Sequence, residues 1–292
     1  MPELPEVETI KRVIEPQIKG LVIEKVTVRQ PEVVAYPDAH TFCKTLTRQV
    51  ISHMERKGKF LIILLTSGDR IILHLRMTGC LLLTPADYPE EKHTHIILSL
   101  KNCTEKEHFP KQNSRKEKSV LELRFSDMRR FGRFWLIGKD ETDTYSGIHK
   151  LGIEPLTEMV TSEYLHTHFD KRKKTVKECL LDQSVIAGIG NIYSDEILFT
   201  AGIHPARPAN SLDRKEWEML AAVIPERISY YIETNKISAE EYLQTKGQDY
   251  RNTPFLQVYG HAGSPCPKCR ETLCRMVIGG RSSVYCPACQ KM

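Results

Sequence analysis

From Pro5 onward apolar residues recur every three or four positions, and Val7, Ile10, Val13, Ile14 and Ile18 fall on one face of a helix. Proline suits the first helical turn, where its missing N–H would have no partner, and Gly20 supplies the stop. Beyond Gly20 the period shortens. Short apolar runs at residues 21–28, 60–65, 71–75, 96–100, 120–125 and 134–137 predict β-strands, and Ser67-Gly68-Asp69 predicts a hairpin turn between the second and third. Strands this short, with no long helix among them, predict an antiparallel β-sandwich or barrel over residues 1–145. Residues 101–119 are polar, charged and interrupted by Pro110, the pattern of an insertion between two strands.

After residue 145 the pattern turns helical. Helices are expected at 162–169, 175–182, 193–200, 213–234 and 239–243, forming a domain over residues 146–260. A short hairpin region, 261–292, is appended to it. The expected fold class is therefore α+β and multidomain, with an N-terminal helix and antiparallel β-sandwich followed by a helical domain and a small finger.

Composition narrows the class further. A chain of 292 residues suits two domains better than one. The longest strongly apolar run, Phe60–Leu65, falls far short of the roughly 18 residues a membrane helix needs. Glu3, Glu6 and Glu8 stand where a secretory signal carries basic and then apolar residues, so the chain is expected to stay in the cytoplasm.

The net charge of +5, from 42 Lys+Arg against 37 Asp+Glu, is too small to name a partner. Its distribution says more. Lys171, Arg172, Lys173, Lys174 and Lys177 form one basic cluster, Arg124, Arg129, Arg130 and Arg133 a second, and Arg56, Lys57 and Lys59 a third. Such clusters can release counterions from a phosphate backbone. Solvated faces of helices and strands are the plainer reading of any one of them.

Nine cysteines, an odd number, do not suggest a disulfide framework. Four stand apart: Cys266-Pro-Lys-Cys269, sixteen residues, then Cys286-Pro-Ala-Cys289. Two such knuckles joined by a hairpin, its turn at Gly279-Gly280, place four thiolates tetrahedrally around one Zn²⁺. A redox pair is the alternative. With all four positions filled by protein, the zinc would be structural. Cys43, Cys80, Cys103, Cys179 and Cys274 fit no ligand pattern.

Two further motifs can carry chemistry. Met1 followed by a small residue is readily removed, which would expose Pro2 as a secondary amine, with Glu3 beside it as a proton donor. Gly188-Ile189-Gly190-Asn191-Ile192-Tyr193 leads into a helix and offers backbone N–H groups to an anion. A dinucleotide-binding reading fails, because no third glycine and no preceding βαβ unit are present. A helix-two-turn-helix clamp on a DNA phosphate fits better.

These residues, with Gly58-Lys59-Phe60-Leu61, His74-Leu75-Arg76-Met77-Thr78-Gly79, Asp127-Met128-Arg129-Arg130-Phe131-Gly132 and Gly280-Arg281-Ser282, resemble the bacterial formamidopyrimidine-DNA glycosylase (8-oxoguanine-DNA glycosylase) family over nearly the whole chain. Leu4 stands where the related endonuclease VIII type usually has glycine, which favours the first branch. The resemblance implies a bifunctional DNA glycosylase/AP lyase that removes oxidised purines through an imine on Pro2, with one structural zinc and no organic cofactor. Glu3 would be the general acid, Lys59 would serve β-elimination and contact phosphate, and Arg281 would serve δ-elimination and grip phosphate. His74, His93, Lys173 and Asn191 would contact DNA phosphates. Met77, Arg129 and Phe131 would fill the space left by an extruded nucleotide; from periodicity alone Met77 and Phe131 read as core, and Lys59 as a solvated strand edge. The implied partner is double-stranded DNA carrying oxidised bases or abasic sites, bound by a monomer on the bacterial nucleoid, with no membrane involved. A non-cutting zinc-ribbon protein and an endonuclease VIII-like pyrimidine glycosylase are the alternatives.

Two departures stand out. Met128 replaces the family's usual proline. Tyr250-Arg251-Asn252-Thr253-Pro254-Phe255 replaces a Gly-aromatic-Gln pattern in the loop that covers the extruded base, which predicts an altered lesion preference.

Overall fold

The computed structural model describes residues 1–102, 120–170, 173–247 and 250–292. The expected insertion therefore lies outside the described residues beyond position 102, as do Lys171 and Arg172 of the basic cluster. The chain divides into two compact units, one of residues 1–2, 7–149 and 237–249, the other of residues 3–6, 150–236 and 250–292.

The first unit takes most of helix α1 (Leu4–Ile18), β1 (Leu21–Val28), β2 (Val34–Tyr36), α2 (Ala39–Leu46), β3 (Ile51–Lys57), β4 (Phe60–Leu65), β5 (Arg70–His74), β6 (Gly79–Pro85), β7 (Thr94–Asn102), β8 (Leu121–Asp127) and β9 (Arg133–Ile137). Two sheets form, ordered β1-β7-β8-β6 and β2-β9-β5-β4-β3. Among these described strands every pairing is antiparallel except that of β2 with β9, which is parallel. Apolar side chains of both sheets, among them Ile23, Leu81, Leu98 and Leu123 on one and Ile63, Leu73 and Phe134 on the other, share a core with the five predicted α1 residues.

Strands β2, β3 and β6 and helix α2 are absent from the sequence expectation, for identifiable reasons. β3 buries only Ile51 and Met54, three apart, and its register slips between Ile51 and His53, so it shows no alternation. β6 is buried throughout except Pro85, which erases the period of two. The start of α2 depends on Asp38, whose carboxylate accepts the N–H groups of His40 and Thr41.

The second unit holds α3 (Ser162–Phe169), α4 (Val176–Leu180), α5 (Asn191–Ala201) and α6 (Arg214–Thr234). α4 and α6 open with capping boxes, Thr175 with Glu178 and Asp213 with Glu216. Phe169, Tyr193, Trp217 and Tyr231 are buried in its core. Helix α7 (Ala239–Gln244) lies in the segment counted with the first unit, where the Tyr242 hydroxyl donates to the Leu81 carbonyl at 3.0 Å. The chain ends in a hairpin of β10 (Cys274–Ile278) and β11 (Arg281–Tyr285). Its two-residue turn puts Gly279 at φ 54° and Gly280 at φ 75°, the left-handed pair that such a turn requires. Among the described residues no helix is long and apolar enough to cross a membrane.

Candidate catalytic and nucleic-acid-binding residues

Pro2, Lys59, His74, Met77, His93, Arg129 and Phe131 lie in the first unit; Glu3, Lys173, Asn191, Arg281 and the four finger cysteines lie in the second.

In the second unit the carboxylate of Glu3 is buried against the N-terminus of α5. It accepts N–H groups from Gly190 at 2.7 Å, Ile192 at 2.9 Å and Tyr193 at 3.4 Å. These are the donors that a helix start leaves unpaired. The glycines are explained by this carboxylate and its neighbour. A Cβ on Gly190 would stand 2.3 Å from the Glu3 carboxyl carbon, and one on Gly188 would stand 2.5 Å from the Leu4 side chain. At this helix start, expected to offer N–H groups to an anion, the N–H groups of Gly190, Ile192 and Tyr193 are taken by Glu3. The Asn191 side chain remains, with its Oδ1 buried and without a hydrogen-bond partner among the described residues.

The finger brings Cys266, Cys269, Cys286 and Cys289 together, with all four Sγ atoms within 4.8 Å of one another. The Cys266–Cys289 and Cys269–Cys286 sulfur separations are 3.9 and 3.4 Å. Tetrahedral zinc with Zn–S bonds of about 2.3 Å needs sulfurs roughly 3.8 Å apart, so the four thiolates fit one structural zinc. Arg281 is exposed at the start of β11.

Lys177 corrects the reading of the first basic cluster. Lys173 and Lys174 are exposed, whereas the Lys177 side chain is fully buried. Its ammonium donates to Asp195 at 2.7 Å and to the Ser282 carbonyl at 3.0 Å. Asp195 also accepts the Ser283 hydroxyl at 2.7 Å and the Val284 N–H at 3.0 Å. Burial pushes the ammonium pKa down and the carboxyl pKa up, against their mutual attraction. Neither residue reads as structural from the sequence, because nothing in a Lys-rich run distinguishes a buried member from an exposed one.

In the first unit Pro2 is buried. Gly58 and Lys59 form the two-residue turn between β3 and β4, with Gly58 at φ 54°. Lys59 is buried at 8% exposure, so it is no solvated strand edge. His74, paired with Phe60 across the β4–β5 ladder, is buried edge-on to the Phe60 ring at 4.6 Å. Its Nδ1 accepts the Arg76 N–H at 3.0 Å, so the neutral ring carries its proton on Nε2. Burial, with the charges of Arg76 and Lys59 adding to it, pushes the His74 pKa down to about 3.

Met77 and Phe131 are exposed at 47% and 46%, against the core reading of their periodicity. The Arg129 guanidinium lies 4.7 Å from the centre of the Phe131 ring and donates to the Met77 sulfur at 3.2 Å. Beneath them is a residue the sequence reading gave no role. Buried Asp127 accepts the Thr78 hydroxyl, the Arg129 N–H at 3.2 Å and the Gly132 N–H at 2.7 Å, tying the Met77 and Phe131 turns to the end of β8. An Asp before a turn is the available signal. The His93 carbonyl accepts the Asp127 N–H at 3.1 Å, and His93 itself is half-buried with φ 67°. Two other basic residues are structural. Arg124 is buried and donates to Glu122 and to the carbonyls of Ala86, Tyr88 and Pro89, and Arg56 is buried against Glu8.

Comparison with known proteins agrees with these features. Residues 1–134 match the formamidopyrimidine-DNA glycosylase N-terminal domain, 151–242 the formamidopyrimidine-DNA glycosylase H2TH domain, and 263–291 the zinc finger found in FPG and IleRS. Formamidopyrimidine-DNA glycosylase of Pelotomaculum thermopropionicum is 39% identical over 292 residues, covering 100% of both chains. That of Desulforamulus reducens is 40% identical over 292 residues, covering 100% of this chain and 99% of its own. The Lactococcus lactis Fpg superposes with a TM-score of 0.85 at 32% identity, covering 100% of both chains in its complex with an oxidized pyrimidine containing DNA. In its complex with an abasic site containing DNA the TM-score is again 0.85 at 32% identity, covering 99% of this chain and 100% of that one. With all three domains matched in order and relatives this similar along their full length, the chain belongs to the formamidopyrimidine-DNA glycosylase family.

Proposed function

We propose that this chain, a DNA glycosylase of base excision repair, releases oxidised purines (8-oxoguanine and formamidopyrimidines) from double-stranded DNA and then cuts the backbone as an AP lyase. Removal of Met1 frees Pro2 as a secondary amine, which titrates near 8 in model peptides and is partly neutral at physiological pH. Its lone pair attacks C1′ as Glu3 protonates the ring oxygen and the C1′–O4′ bond opens. The nitrogen then gives its proton to the base, the glycosidic bond breaks with its electrons leaving on the base, and the ring-opened sugar is held as an iminium.

Loss of a C2′ proton expels the 3′ phosphate, an elimination that Lys59 serves while its ammonium contacts phosphate. Arg281 serves the second elimination and grips phosphate. His93, Lys173 and Asn191 contact backbone phosphates, joined by His74 through its neutral Nε2–H. Met77, Arg129 and Phe131 fill the gap left by the extruded nucleotide, offsetting a few kcal/mol of lost stacking. Zinc on Cys266, Cys269, Cys286 and Cys289 holds the finger and takes no part in the chemistry. In this reading residues 1–145 carry the amine and the wedge, 146–260 the helical DNA clamp and 261–292 the finger, in a monomer acting in the cytoplasm on the nucleoid.

The observation that carries the proposal is the fixing of Glu3, the residue after Pro2, by three N–H groups of the α5 start. It gives the acid one orientation before DNA arrives. The test is incubation with an 8-oxoguanine duplex and borohydride, which reduces the iminium to a stable adduct. A covalent adduct is expected with the native chain and none with Pro2→Gly, whose binding stays within about tenfold. An undiminished adduct in that variant would sink the assignment of the nucleophile.

A further inference from the structure

The loop that departs from the family pattern has one buried side chain. Arg251, Thr253, Pro254 and Phe255 are exposed, while Asn252 between them is 4% exposed. Its amide Nδ2 donates to Glu6 Oε1 at 2.8 Å and to the Tyr193 hydroxyl. That hydroxyl in turn donates to the same Glu6 oxygen. The other Glu6 oxygen accepts the Glu3 N–H at 2.8 Å. The Asn252 N–H goes to the side chain of Asn235, the residue that caps the end of α6, at 3.3 Å. All of these groups are buried within the second unit.

Each link has a chemical reason. A buried carboxylate needs donors, and Glu6 has three of them, from Glu3, Tyr193 and Asn252. An amide is the side chain that can donate to a carboxylate oxygen and to a phenol oxygen at once. Tyr193 closes the circuit, because its backbone N–H holds the Glu3 carboxylate while its hydroxyl holds Glu6. The position of the loop and the orientation of Glu3 are therefore set by one network.

We infer that Asn252 is a positioning and specificity-determining residue, which anchors the 250–255 loop to Glu6 and through Glu6 orients Glu3 for base release. The inference rests on the glycosylase reading above and concerns the excision of the base, not the later cutting of an abasic site. An apolar residue of similar volume leaves a Glu6 oxygen short of a donor and frees the loop from its only buried side chain between residues 251 and 255. Base release suffers, and it suffers unequally for bases that depend differently on the loop.

The experiment compares single-turnover rates of the native chain, Asn252→Leu and Asn252→Ser on three duplexes, carrying 8-oxoguanine, a ring-opened purine or a ready-made abasic site. With Asn252→Leu, excision falls about 10- to 100-fold, the loss expected when a buried polar group goes unpaired. The ratio of the two excision rates changes, and abasic cleavage falls less than about threefold. Asn252→Ser, which keeps a hydroxyl donor, recovers part of the loss. Excision at the native rate in Asn252→Leu overturns the inference, as does an equal loss on all three duplexes, which would mark Asn252 as a fold residue only. Absence of excision by the native chain itself overturns the glycosylase reading and the inference with it.

Discussion

The ammonium of Lys177 and the carboxylate of Asp195 meet at 2.7 Å with both side chains fully buried. The pair joins α4 to α5, and through the Ser282 carbonyl, the Ser283 hydroxyl and the Val284 N–H it holds the strand that begins with Arg281. Breaking one half of such a pair leaves an uncompensated buried charge, at a cost of about 3–5 kcal/mol. Lys177→Met is therefore expected to lower the urea midpoint and to speed zinc loss to a chelator. The double variant Lys177→Met/Asp195→Leu recovers much of that stability, and a simple sum of the two single losses would refute the coupling.

The zinc ligands hold the hairpin that carries Arg281, and structural zinc sites supply folding free energy to their own segment. Cys286→Ser, or chelation of the metal, is expected to weaken binding to damaged and undamaged duplexes alike. Metal analysis of the native chain should return one zinc per molecule. Full binding by a metal-free protein would disprove the role given to the finger.

Asp127 presents one carboxylate to three donors, from Thr78, Arg129 and Gly132. Asp127→Asn keeps the size but turns one oxygen into an N–H₂ group facing those donors, a mismatch worth about 1–3 kcal/mol. Because those donors set the Met77 and Phe131 turns, the variant should extrude a damaged nucleotide more slowly. The change is read as a slower fluorescence rise from 2-aminopurine opposite the lesion. Unchanged extrusion at an unchanged melting temperature would refute the prediction.

His74 is held neutral, its pKa pushed from an ordinary 6.5 to about 3, chiefly by burial. Between those values the unfolded chain binds a proton that the folded chain refuses. Stability contributed by this site is therefore present above about pH 6.5 and is lost as pH falls toward 3. His74→Gln should flatten the acid limb of a plot of urea midpoint against pH while leaving its neutral region parallel to that of the native chain. An unaltered acid limb counts against a buried neutral imidazole.

The same neutrality bears on salt. Of the residues assigned to phosphate, Lys59, Lys173 and Arg281 carry permanent charge, so log K against log salt should fall with a slope of about −3, at roughly −0.9 per phosphate. Lys173→Gln should reduce the slope by about 1 and His74→Gln should leave it unchanged. A flat salt dependence would mean that these residues do not face DNA.

Much of this chain is determined by the sequence alone, wherever local spacing and chemistry suffice. The apolar stripe of α1, the runs that become β1 and β4, the helix Ser162–Phe169 and the finger hairpin with its Gly279-Gly280 turn are visible in periodicity and turn residues. Two C-x₂-C knuckles at fixed separation specify a tetrahedral metal site without reference to the rest of the fold. Tertiary structure decides what depends on residues distant in the chain. Of three basic clusters that look alike in sequence, it buries Lys177, Arg124 and Arg56 against Asp195, Glu122 and Glu8 and leaves Lys173, Arg129 and Arg130 exposed. It exposes Met77 and Phe131, which periodicity would hide, and fills the α5 start with the Glu3 carboxylate, which the sequence alone leaves open to a phosphate. The reason is common to all of these. A charged or polar group is stable in the interior only if a partner reaches it, and that partner lies 2 residues along the chain for Arg124 and 246 for Asn252.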